Sequence, residues 1–285
     1  MNTLKWSKNR AGLYMQDALA EFQPDMKGLL SPPAQYKMYK NRLMTQHLIG
    51  FGSGVALLPG DVTSYAFDGS GDRLDIGDHA NWDLVSDTTN YTLDLWVKFT
   101  SHATDETIIS QFEDTSNFWK LHHANGNGFR FDVRTATVQI ITVPYGGEGT
   151  DTNWHHYALV KKVDEYGSYV DGTQVSYLQD TSTDSFSGGI RIAELSTNPF
   201  DGNLDEIRIY QGNPFSASPN VGLSDTISVP VQQHTSDAST YLLIHCGETK
   251  TGSSGSLASF TESGINGHTV QEVGNAVVDT INYKF

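Results

Sequence analysis

Residues 91–99 alternate without a break: Tyr91, Leu93, Leu95, Val97 and Phe99 are apolar, and Thr92, Asp94, Trp96 and Lys98 fill the places between. A period of two places the first set on one face of a β-strand, against a core. Trp96 among the polar positions implies that the second face is partly covered too. Shorter runs of the same kind predict two strands over 64–74, and further strands over 107–112, 118–122, 129–134, 138–143, 154–163, 166–170, 190–193 and 204–210. Turn residues separate them: Asn125-Gly126-Asn127-Gly128, Tyr145-Gly146-Gly147, Asp171-Gly172, Ser187-Gly188-Gly189 and Asp201-Gly202. Many short strands at this spacing predict an all-β protein, built as a two-sheet antiparallel sandwich.

The two ends differ from this middle. Residues 1–54 form an N-terminal arm, mostly non-β, in which 11–22 carries a short amphipathic helical pattern interrupted by Pro24 and Pro32-Pro33. The stretch 35–48 is a second helical candidate, and Gly50–Gly54 is a flexible joint. The sandwich spans 55–215. A C-terminal segment, 216–285, holds two more strand candidates, 241–245 and 275–279, around a Gly/Ser-rich loop at 252–255. This segment completes the sandwich of its own chain or that of a neighbour, closing sheet edges that would otherwise stay open.

Charge sharpens the division. The chain carries a net charge of −15, which disfavours nucleic acid and anionic membranes as partners. The arm runs the other way. Residues 1–50 hold Lys5, Lys8, Arg10, Lys27, Lys37, Lys40 and Arg42 against Asp17, Glu21 and Asp25. Of these, Lys5, Lys8, Arg10, Lys37, Lys40 and Arg42 are the candidate anchor to an acidic surface. Cys246 is the only cysteine, so no disulfide forms within the chain. No run approaches the ~18 apolar residues of a membrane span, and the first residues lack the pattern of a signal peptide.

Two segments carry a family likeness. Trp154-His155-His156-Tyr157-Ala158-Leu159-Val160 running on to Tyr169-Val170-Asp171-Gly172, and Phe200-Asp201-Gly202-Asn203-Leu204-Asp205-Glu206-Ile207-Arg208-Ile209-Tyr210, resemble the signature of the laminin G-like / concanavalin A-like family. The likeness covers about three-quarters of the chain and implies a jelly-roll sandwich. It also implies that 154–160 is a structural strand, with Trp154 and one histidine packed inside. The tail resembles a stretch that opens the domain in laminin G-like proteins of tailed phages, through Leu242-Leu243-Ile244-His245 and Asn266-Gly267-His268-Thr269. Here it closes the chain, so the order is cyclically shifted.

Candidate chemistry is sparse. Asp205-Glu206 suggests the carboxylate pair of a glycoside hydrolase, but neighbours in a regular strand face opposite ways, and retention needs carboxyls about 5–5.5 Å apart. The same alternation separates His122 from His123 and His155 from His156 as metal ligands, and it makes Glu206 and Arg208 a surface pair. No enzymatic activity is expected. The family resemblance implies Ca²⁺ at a rim, with Asp68, Asp72, Asp201 and Asn203 as candidate ligands; the alternative is aspartates that close their own turns. Glycan contact suits Trp119, Asn117 and Tyr145, with core packing the competing role for Trp119. The expected function is that of a virion structural protein of a tailed phage: capsid decoration, head fibre or tail-associated adhesion. Other virion proteins would be bound through the arm, and the chain would form a homo-oligomer. The alternative is a lectin-like module that holds cell-surface glycans.

Overall fold

The structure, a computed structural model, describes residues 63–86, 89–147, 151–195, 198–246 and 259–285. The arm, its helical candidates, its six anchor bases and the 252–255 loop lie outside the described residues.

One eight-stranded antiparallel sheet, sheet A, takes β1 (Ser64–Asp68), β3 (Tyr91–Phe99), β8 (His155–Lys162), β9 (Glu165–Val170), β10 (Thr173–Gln179), β12 (Asp201–Gln211), β13 (Thr240–Ile244) and β16 (Val277–Asp279). The second, sheet B, takes β2 (Arg73–Ile76), β4 (Glu106–Asp114), β5 (Asn117–Ala124), β6 (Gly128–Thr135), β7 (Val138–Gly146), β11 (Gly189–Ile192), β14 (Ser259–Thr261) and β15 (Thr269–Val273). Sheet A runs β10-β9-β8-β3-β12-β1-β16, with β13 also on β12, and sheet B runs β14-β15-β2-β11-β4-β5-β6-β7. The strand expected over 91–99 is present with those bounds. The Asp171-Gly172 turn joins β9 to β10 with φ of 48° and 82° at its two residues, the left-handed pair that a two-residue hairpin needs.

Alternation builds the core. Leu93, Leu95, Val97 and Phe99 of β3 meet Trp119 and Leu121 of β5 and Phe129, Phe131 and Val133 of β6 between the sheets, all buried. The C-terminal segment enters both sheets of its own chain: β13 pairs with β12, β16 with β1, and β15 with β2.

The two outer faces differ, and this difference positions the candidate site. Over sheet A, residues 213–229 pack Phe215, Ala217 and Ile227 against Ala158, Val160 and Tyr169, forming a second small core. The Tyr169 hydroxyl donates to Asp225 at 2.7 Å and fixes that crossing. Further along, Lys284 Nζ lies 3.8 Å from the centre of the Trp96 ring, and Phe285 meets the same ring edge-on at 5.8 Å. The outward Trp96 of the sequence is therefore covered, as expected, by the end of the chain. No described segment crosses the outer face of sheet B in this way.

Candidate functional site

The outward positions of sheet B line up in register. Gln271 faces Asp75, Asp75 faces Arg191, Arg191 faces Ser110, Ser110 faces Lys120, Lys120 faces Asp132, and Asp132 faces Thr142. These seven polar residues make one row across seven strands, six inter-strand steps or roughly 29 Å. Each of them lies next to an inward-facing core residue in its strand, such as Trp119 and Leu121 around Lys120.

An aromatic row runs beside it. Gly189 faces Phe112, Phe112 faces Phe118, and Phe118 faces Arg134. The Arg191 guanidinium stacks 4.4 Å over Phe112, and that of Arg134 lies 5.4 Å over Phe118. At one end the face opens into a cleft of about 600 Å³, lined in part by Asp75, Asp78, Phe112, Arg191, Thr269 and Gln271. A concave surface of convergent polar groups beside aromatic rings is the usual form of a small-ligand site.

Ion pairs fix some of these groups. Arg73 Nε donates to Asp75 at 3.0 Å and its Nη1 to Glu194 at 3.1 Å. Asp132 accepts from Arg130 at 2.6 Å and from His122 at 3.1 Å. Against its burial, these two hydrogen bonds hold the Asp132 carboxyl below its usual range. Burial pulls the Lys120 ammonium down from its ordinary value; the charge of Asp132 opposes that shift, and the charges of Arg130 and Arg134 add to it.

The residues predicted for glycan contact are separated by the fold. Trp119 is fully buried, and its Nε1 donates to the Trp82 carbonyl and to Gln111 Oε1, both at 2.8 Å. It presents no ring to a ligand, so the expectation for it is corrected: the inward period of β5 places it in the core. Asn117 closes a turn, donating to Asp114 and accepting from the Ala136 amide. Tyr145 is half-buried at the margin of the sheet B face, with Arg130 5.0 Å from its ring centre and His122 edge-on at 5.7 Å.

The candidate calcium ligands also divide. Asp68 accepts from the amides of Ser70 and Asn275, and Asp72 accepts from the backbone N–H groups of Asp68 and Asn275. All four oxygens thus take N–H donors, the bonding of aspartates that close a turn, and calcium held here would have to displace those donors. Asp201 faces Asp68 in the β1–β12 register, while Asn203 turns to Ser64 and Asp279 on the outer side of sheet A.

Asp205 and Glu206 break the alternation that separated them. Glu206 has φ 51°, and the β12–β3 register slips between Asp205 and Arg208, a β-bulge. The bulge turns both carboxyls into one buried cluster under the C-terminal segment. Glu206 accepts from the His234 amide at 2.7 Å and from His245 Nδ1 at 2.6 Å. Arg208 is correspondingly not a surface partner of Glu206: it is buried and donates to Asp94 at 2.8 Å. Burial, and then the charge of Glu206, push the Asp205 carboxyl up to about 7. The two histidine pairs do diverge as alternation requires, His155 toward Asp151 and Asp171 and His156 toward Asp94, His122 toward Asp132 and His123 toward Phe99 and Phe129. His156 is fully buried but lies beneath the covering segment, and Trp154 stays partly exposed.

The comparisons agree with the fold. The profile of the concanavalin A-like lectin/glucanases superfamily matches residues 68–217, just over half of the chain. The protein belongs to that family. Among solved structures, a Bacteroides ovatus protein provisionally described as carbohydrate binding superposes with a TM-score of 0.51 at 14% identity, over 81% of this chain. The chain spans 66% of that protein's length, under two thirds. Domain 4 of the arabinanase AbnA from Geobacillus stearothermophilus, in complex with arabinotriose, gives 0.43 at 20% identity over 56% of this chain and 77% of its own. Mouse laminin alpha1 domains LG4-5 give 0.42 at 16%, over 59% and 46%. No curated protein sequence matches the chain.

Proposed function

We propose that the protein is a non-enzymatic glycan-binding module whose ligand lies along the outer face of sheet B. The observation that carries this is the polar row from Gln271 to Thr142, flanked by Phe112 and Phe118 and opening into the 600 Å³ cleft. Sugars offer hydroxyls to amides, carboxylates and guanidinium groups, which this face supplies, with Phe112 half-buried beside them and Phe118 buried under Arg134. The Bacteroides ovatus fold relative is consistent with such a role. The polar row itself carries no hydrolytic pair. The carboxylates of the row, Asp75 and Asp132, stand four inter-strand steps apart, roughly 19 Å, well beyond the about 5–9.5 Å of a hydrolytic pair. The Asp205-Glu206 pair is buried under the C-terminal segment, out of a polymer's reach.

The setting we propose is the surface of a tailed-phage particle, with the basic arm as the anchor. Its support is the tail's likeness to phage laminin G-like proteins and the charge contrast between residues 1–50 and the rest. Probing purified particles for the protein tests this setting, and absence from them overturns it. The binding role is tested by titrating the protein against a panel of neutral and acidic polysaccharides. Phe112→Ala is expected to weaken binding about tenfold, the loss of one stacked contact with its oriented guanidinium. Failure to bind any polysaccharide overturns the proposal.

A further inference from the structure

The outer face of sheet B carries more positive charge than its own acids neutralise. Arg73 is taken up by Asp75 and Glu194, and Arg130 by Asp132. Three cations remain at the centre. Lys120 makes no hydrogen bond or ion pair with any described residue. Arg134 Nε is buried without a hydrogen-bond partner. Arg191 has Asp75 only at 3.9 Å, with its guanidinium laid on Phe112 instead.

Two of them adjoin Ser110, and the third lies further along the face. Arg191 and Lys120 flank it directly in the strand register, and Arg134 lies one diagonal step beyond Lys120. Ser110 is fully buried, and its Oγ has no partner. A buried hydroxyl without a partner, beside half-buried Lys120 and Arg134 without acceptors, is a costly arrangement unless something else supplies the oxygens. In a chain of net charge −15, a patch in which Lys120 and Arg134 have no acid partner and Arg191 only a distant one stands against the trend of the whole molecule. What would complete it is an anionic group with several acceptor oxygens, lodged over Ser110 between Arg191, Lys120 and Arg134.

We propose that the ligand of this face is an acidic glycan, whose carboxylate or sulfate groups are held by Arg191, Lys120 and Arg134, with Ser110 donating a hydrogen bond. This rests on the glycan-binding role proposed above and narrows its ligand class. The stacked guanidinium groups keep their N–H edges free for oxygen acceptors, while Phe112 and Phe118 hold them in place.

The test is binding of the full chain to four polymers: polygalacturonate for carboxylates, dextran sulfate for sulfates, dextran as the neutral polysaccharide, and polyglutamate as an anion without sugar. Polygalacturonate or dextran sulfate is expected to bind more tightly than either control, and which of the two binds identifies the anionic group. Lys120→Gln and Arg191→Gln should each weaken that binding about tenfold, the worth of one charge-assisted hydrogen bond. Should either variant fail to fold, the unaltered chain still reports. Its affinity for the acidic polymer should fall at least about tenfold as NaCl rises from about 0.05 to 0.5 M, through screening. If dextran binds as tightly as the acidic polymers and the variants change nothing, the acidic ligand is overturned while glycan binding stands. If polyglutamate binds equally well, or alone, the face is a general anion surface and the inference fails. If no polysaccharide binds, both proposals fall.

Discussion

His234 lies 140 residues from Asp94 in the chain, and its Nε2 donates to Asp94 Oδ2 at 2.8 Å. The same carboxylate takes Arg208 Nε at 2.8 Å and His156 Nε2 at 3.3 Å, and it is fully buried. The contact pins the C-terminal segment onto the outer side of sheet A at a strand that the segment never pairs with. Burial alone would raise the Asp94 pKa; the hydrogen bonds of His156 and His234 and the charge of Arg208 overcome it and hold the carboxyl far below its ordinary range.

Asp94→Asn is therefore expected to destabilise the fold by about 3–5 kcal/mol, because Arg208 would be left buried without its counter-charge. The carboxyl is depressed in the folded state, so its stabilisation is present above the unfolded pKa of about 4 and is lost as pH falls below it. Urea unfolding at pH 7 and pH 3 checks both statements: the gap between native and variant should be large at the first and shrink at the second. Equal stability at pH 7 would remove Asp94 as the pin.

Asp205 titrates in the opposite sense. Its folded pKa, raised to about 7 by burial and then by the charge of Glu206, lies above its unfolded value. The protonated carboxyl is the form that the fold prefers, so its favourable contribution is complete below about pH 4 and is lost as pH climbs through 7. Asp205→Asn should consequently gain on the native protein as pH rises, by on the order of 2–4 kcal/mol between pH 4 and pH 8. Unfolding curves at several pH values measure this directly, and a pH-independent difference would argue against it.

Much of the fold was legible, and the reason is local. In Phe129-Arg130-Phe131-Asp132-Val133-Arg134 every apolar residue enters the core and every charged residue points out, as a period of two requires. What alternation does not contain is register. Arg191, Lys120 and Asp75 could each be assigned to an outer face from their own strands, but only pairing across β2, β11, β4 and β5 aligns them into a row. The strand β10 escaped notice because its buried side chains are polar, Gln174 and Ser176. The Asp205-Glu206 cluster escaped for a different reason. A single residue with φ 51° cancels the alternation on which the separation of the two carboxyls was argued. A sequence rule for strands holds only as far as the strand stays regular.

Trp119 offers a clean separation of stability from binding. Trp119→Phe keeps an apolar ring in the core but removes the donor shared by the Trp82 carbonyl and Gln111 Oε1. Unsatisfied acceptors and a smaller ring together predict a loss of about 2–4 kcal/mol. Because the side chain points away from the sheet B face, affinity for a bound polysaccharide should stay unchanged at temperatures where the variant is folded. Chemical denaturation gives the first quantity and a binding titration the second. Weakened binding in a folded variant would place Trp119 back among the ligand contacts.

Phe285 tests whether the end of the chain is a working part of the cover over sheet A. Its ring meets Trp96 edge-on at 5.8 Å, on the side where Lys284 Nζ lies 3.8 Å from the indole centre. Trp96 is almost fully buried, yet it occupies an outward position of β3, so only the covering segment keeps it from water. Removing the Phe285 ring should cost the edge-on contact and part of the apolar area, about 1–2 kcal/mol. Phe285→Ala is thus expected to lower stability by that amount and to make Trp96 accessible to an aqueous quencher. Tryptophan fluorescence with added iodide, compared with a Trp96→Phe control, isolates that residue's signal. Quenching that does not increase would mean that other groups shield Trp96, and that Phe285 contributes little to the cover.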